Sequence, residues 1–105
     1  MVEIPTLIKN KLYVFLNELS KNNFKIDKAY LFGSYAKGTN NEWSDIDLAV
    51  VSENFEGNRL FDKDKIRKFL AIVDYDISPL PYRPEDFTED DLFVKEIIQT
   101  GIRIV

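Results

Sequence analysis

The sequence predicts an α/β domain. Three short apolar runs read as strands, helical periodicities separate them, and no repeat, linker or low-complexity segment interrupts the 105 residues, so one domain over 1–105 is expected. Ile8, Leu12, Phe15, Leu16 and Leu19 recur at helical spacing, and Pro5 suits a first turn. They give a helix over about residues 5–22 that ends in Ser20-Lys21-Asn22-Asn23. Ala29 to Phe32 is a short strand stopped by Gly33, and Ser34 to Lys37 allows one helical turn before a polar loop. Ile46 to Val51 is nearly continuous in apolar residues, the pattern of a strand buried on both faces.

Leu60, Ile66, Phe69 and Leu70 then place a helix over Arg59 to Leu70, with Lys63, Lys65, Arg67 and Lys68 expected on its wet side. Ile72 to Ser78 reads as a third strand, stopped by Pro79 and Pro81. Thr88-Glu89-Asp90-Asp91 resembles a capping box and opens a helix to about Thr100, which Gly101 closes. Ile102 to Val105 is a candidate edge strand.

Composition excludes several chemistries. The chain has no Cys and no His, so disulfides, thiolate zinc sites, cysteine nucleophiles and imidazole bases are all removed. Carboxylates are left as the strong side-chain ligands, and they suit hard cations such as Mg²⁺. Acidic residues number 18 against 14 basic, a net charge of -4, which argues against nucleic acid as a direct ligand. Met1 to Pro5 lacks the pattern of a signal peptide, and no apolar run nears the roughly 20 residues that cross a bilayer. The cytoplasm is the expected location.

The most telling stretch runs from Leu31 to Val51. Asp45 and Asp47 stand two apart at the start of a strand, so their side chains share a face and repel each other unless a cation lies between them. Two-metal sites hold their ions roughly 3.5–4 Å apart and stabilise the attacking and leaving oxygens of an in-line displacement, usually with a third carboxylate. Asp74, Asp76 and Ser78 share a face by the same rule, and either Asp could supply it. Gly33 permits a close backbone approach, Ser34 offers donors to phosphate oxygens, and Lys37 could add a positive charge nearby or face solvent. Trp43, beside the carboxylates, is expected to pack the loop rather than stack on a base.

Gly33-Ser34, ten intervening residues from Tyr35 to Ser44, and then Asp45-Ile46-Asp47 resemble the motif of the DNA polymerase β-type nucleotidyltransferase superfamily, in its minimal nucleotidyltransferase (MNT) branch. Ala36, Gly38, Ser44 and Leu48 fit the same pattern. The resemblance implies a polymerase β-like core, a small mixed sheet packed with helices. It also implies that Gly33 and Ser34 hold the nucleotide's phosphates; Lys37 and Ser44 are further nucleotide-binding candidates beside them. Asp45 and Asp47 would bind Mg²⁺ in a two-metal site. Asp76, followed by Ile77, Ser78 and Pro79, best matches the family's third carboxylate, with Asp74 as the alternative.

Three functions compete on this basis. Short stand-alone MNT proteins resemble antitoxins paired with HEPN-type toxins, several of them adding AMP from ATP to a toxin tyrosine, and this is the leading expectation. The second is a non-catalytic antitoxin that masks its toxin by contact alone. The third is a small-molecule transferase acting on an antibiotic, which a single short domain could hardly enclose.

Overall fold

The structure is a computed structural model that describes residues 4–73 and 76–105. In chain order it contains α1 (Thr6–Lys21), β1 (Ile26–Phe32), α2 (Ser34–Lys37), β2 (Ile46–Ser52), α3 (Arg59–Arg67), a 3₁₀ segment (Lys68–Val73), β3 (Ile77–Tyr82), a 3₁₀ turn (Pro84–Asp86), α4 (Leu92–Thr100) and β4 (Ile102–Arg103). The strands form one mixed sheet in the order β3-β2-β1-β4. β1 runs antiparallel to β2 and β4, and β2 runs parallel to β3. A parallel pair needs a crossover, which α3 and the 3₁₀ segment provide.

Strand alternation sorts the side chains into two cores. Leu12, Phe15, Leu16 and Leu19 of α1 pack with Ile66, Phe69, Leu70 and Val73 against Ala29, Leu31, Ile46, Leu48, Val50 and Ile77. On the other face, Val94 and Ile97 of α4 cover Ala49, Val51, Tyr82 and Phe87. β2 is therefore buried from both sides, as its apolar run predicts.

The third strand differs from expectation. Lys68–Val73 is 3₁₀ helix, and the strand is Ile77–Tyr82, containing both prolines. Its place at the sheet edge explains this. The Ile46 N–H donates to the Asp76 carbonyl at 3.0 Å, which fixes the even-numbered residues as the ones bonded to β2. Pro79 and Pro81 thus turn their missing donors outward, where a proline costs no ladder bond and discourages pairing with another chain.

The start of α3 is where the sequence places it, at Arg59, and that of α4 falls slightly later, at Leu92. Asp91 is itself the N-cap of α4, its carboxylate accepting from the N–H groups of Phe93 (2.8 Å) and Val94 (3.3 Å). α3 is capped by Asn58, which accepts from the Phe61 N–H at 3.0 Å. The buried Asp62 accepts from the Glu56 and Gly57 N–H groups, both at 2.9 Å, so its burial leaves no unsatisfied carboxylate.

Candidate active site

Strand pairing assembles the site at one end of the sheet. Asp47 is the second residue of β2, opposite Phe32 of β1 on one side and Ser78 of β3 on the other. Gly33 follows Phe32 directly and so lies against Asp47. Its backbone takes φ 74° and ψ -148°, a region that disfavours side-chain-bearing residues. A Cβ at Gly33 would be driven into the Asp47 Oδ2. The Gly33 carbonyl accepts from the Ala36 and Lys37 N–H groups, each at 3.1 Å, and Gly38 ends the turn in the left-handed conformation. The turn and the carboxylate are thus in direct contact because one residue between them has no side chain.

The Asp47 carboxyl is pushed up from its ordinary range, first by burial and then by the negative charge of Asp45. Folding favours the protonated form, so an ionised Asp47 counts against the fold as pH rises through its shifted value. Two oxygen ligands of this kind, one partly desolvated and each repelling the other, fit a hard divalent cation. Asp45 and Asp47 could hold it.

The backbone of Asp76 is in register with this pair, since its carbonyl accepts from Ile46 N–H. Its side chain is 52% exposed and bound by the Lys11 ammonium of α1. Among the described residues, no group of three carboxylates is gathered in the way a metal ion would need. Asp74 lies outside the described residues.

The Ser34 carbonyl accepts from the Gly38 and Thr39 N–H groups, and the side chains of Lys37 and Ser44 are engaged. Lys37 pairs with Glu96 of α4 at 3.5 Å, beside a pocket of about 150 Å³ lined by Phe32, Gly33, Phe93 and Ile97 among others. The Ser44 hydroxyl accepts from the Asn41 N–H at 2.9 Å, and Asn41 Oδ1 accepts from the Trp43 N–H at 2.8 Å. These bonds fix the loop leading to Asp45. Trp43 does not pack against that loop: it is 85% exposed, because the clamped backbone turns it outward.

Sequence reasoning missed one feature of the site. Asp45 lines a groove of about 250 Å³ together with Lys63 and Arg67 of α3 and Leu70, Ile77, Ser78 and Pro79. The available signal was the four-residue spacing of Lys63 and Arg67, which puts them on one helix face.

The nucleotidyltransferase domain family matches residues 12–104. Two proteins of Methanocaldococcus jannaschii, MJ1305 and MJ0141, each provisionally named a protein adenylyltransferase, are similar in sequence. MJ1305 is 35% identical over 89 residues, which cover 78% of this chain and 59% of that protein. MJ0141 is 34% identical over 84 residues, covering 76% of this chain and 80% of that protein. The chain thus spans less than two thirds of the length of MJ1305.

Among solved structures, a toxin–antitoxin crystallised with AMP-PNP superposes with a TM-score of 0.63 at 24% identity, over 92% of this chain and 72% of that one. A provisionally assigned nucleotidyltransferase from Sulfolobus solfataricus gives 0.60 at 16% identity, over 98% and 89%. At these identities the likeness is one of fold, and it agrees with the mixed sheet and flanking helices described above.

Proposed function

The chain belongs to the nucleotidyltransferase domain family, and on that premise we propose that residues 1–105 act as one minimal domain that transfers AMP from ATP to a hydroxyl of a partner protein. The observation that carries this reading is the contact between Gly33 and the Asp47 carboxylate. It sets a backbone turn suited to phosphate oxygens directly beside a carboxylate suited to a metal ion. The protein acceptor is supported by the naming of MJ1305 and MJ0141. A toxin partner, of the HEPN type, is supported by the toxin–antitoxin fold likeness and by the motif. The place of action is the cytoplasm; no helix among the described residues is long and apolar enough to cross a membrane.

In this reading Gly33 and Ser34 seat the departing phosphates, Lys37 adds positive charge, and Ser44 holds the loop that aims Asp45. Asp45 and Asp47, with Asp76, are the residues that would hold Mg²⁺. A bound Mg²⁺ supplies charge neutralisation at the phosphoryl group. The acceptor oxygen bonds to the α-phosphorus, the bond from that phosphorus to the bridging oxygen breaks, and pyrophosphate leaves. The hydroxyl proton passes to Asp76, whose side chain must first exchange Lys11 for the acceptor. Positioning and electrostatics account for most of such catalysis.

One observation favours the masking antitoxin instead: the Asp76 carboxylate is held by Lys11. A labelling experiment separates the two. The purified chain, Mg²⁺ and ATP labelled at the α-phosphate are mixed with lysate of the source cells, beside a γ-labelled control and the variants Asp45→Asn and Asp47→Asn. Transfer predicts a discrete protein band from α-label only, reduced about a hundredfold or more in the variants. Circular dichroism of both variants separates a loss of labelling from a loss of fold. No band under any condition would leave masking as the better account.

A further inference from the structure

We propose that the groove between α3 and the start of β3 receives an acidic segment of the acceptor protein, with Lys63 and Arg67 binding carboxylates that lie beside the hydroxyl to be modified. This rests on the transfer reading above and specifies its substrate.

The basic run of α3 and its extension holds Lys63, Lys65, Arg67 and Lys68. Lys65 pairs with Glu56 at 3.5 Å and lies 5.0 Å from the Phe61 ring centre. Lys68 lies 5.3 Å from the Phe69 ring. Lys63 and Arg67 have no ion-pair or ring partner among the described residues, and these two line the groove with Asp45. In a chain of net charge -4, two unmatched cations beside the reacting centre mark a preference for an anionic partner.

Geometry then favours the acceptor over the nucleotide. An in-line displacement brings the attacking oxygen in opposite the leaving group. The sheet order places β2, with its carboxylates, between β1 and β3. The Gly33 turn follows β1 and takes the leaving phosphates; the groove lies on the β3 side, where the attacking oxygen must come from. Its 250 Å³ equals roughly eight waters of liquid volume, enough for one or two side chains. Residues four apart on a helix hold their side chains about 5–6 Å apart. Alternate residues of an extended segment repeat every ~6.6 Å, so one such segment can present a carboxylate to each cation.

The test is a binding measurement, so it stands apart from turnover. Fluorescein-labelled Gly-Tyr-Gly-Glu-Gly-Glu-Gly and Gly-Tyr-Gly-Lys-Gly-Lys-Gly are titrated with the chain by anisotropy, at low salt, with Mg²⁺ and a non-hydrolysable ATP analogue. The acidic peptide should bind the wild type about tenfold or more tightly than the lysine peptide, Lys63→Glu/Arg67→Glu should invert that order, and Lys63→Gln/Arg67→Gln should abolish it. Affinity for the ATP analogue should stay within about twofold in both variants, whose folding is checked by circular dichroism. Equal binding of the two peptides, or no binding of the acidic one, would overturn the proposal. So would a fall in nucleotide affinity, which would give the two cations to the phosphates. Missing label in the preceding assay would instead remove transfer itself and leave these affinities unchanged.

Discussion

Gly33 is the residue on which the site's geometry turns. Its φ of 74° and the Asp47 oxygen at its α-carbon forbid a side chain for two independent reasons. The backbone term alone costs about 1–3 kcal/mol for an L-residue in this region, and the steric term must push Asp47 away. Gly33→Ala should therefore lower the melting temperature and cut AMP transfer together, by about a hundredfold for transfer. Calorimetry and the α-label assay read the two effects; an alanine variant with full activity would show that Asp47 need not touch the turn. Trp43 carries the opposite lesson. Its neighbours in sequence suggested packing, yet hydrogen bonds among Asn41, Trp43 and Ser44 decide where its side chain goes, and they turn it to solvent.

Among the elements, α4 shows how a local cap fixes a boundary. The Asp91 carboxylate satisfies two amides that the first helical turn leaves without partners. Asp91→Ala should cost about 1 kcal/mol, the ordinary value of such a cap, measured by urea unfolding, whereas Asp91→Asn should keep most of it. A loss near zero would mean that packing of Val94 and Ile97 alone sets the helix start. α1 and β2 were legible because their signals are local: a 3.6-residue stripe in one, an unbroken apolar run in the other. The motif from Gly33 to Asp47 was legible for the same reason, since both ends lie on neighbouring strands joined by one loop. β3 was misplaced because Ile72 and Val73 look like strand residues and Pro79 like a stop. Only sheet order reveals that this strand lies at an edge, where its prolines cost no bond. The Lys11–Asp76 pair and the Lys63–Arg67 groove were equally hidden, since each joins elements whose register the sequence does not state.

At the scale of the molecule, the two faces of the sheet are unequally covered. α1, α3 and the 3₁₀ segment bury one large cluster, whereas the other face depends on α4, with the loop bearing Phe87. Fewer buried apolar contacts mean a lower cost of local opening. Backbone amides of α4 should thus exchange with solvent through partial opening, ahead of those of β1 and β2, which should need global unfolding. The same helix also meets the turn that follows β1, through Glu96 on Lys37 and a T-shaped contact of Phe93 with Phe32, with ring centres 5.8 Å apart. A ligand that binds only the closed form stabilises it by mass action. Mg²⁺ with a non-hydrolysable ATP analogue should then slow exchange in α4 by about tenfold or more at concentrations well above the dissociation constant, while leaving α1 little changed. Equal protection of α1 and α4 would mean that nucleotide binding stabilises the molecule only as a whole. Protection confined to α3 would place the nucleotide on the β3 side, in the groove assigned here to the acceptor.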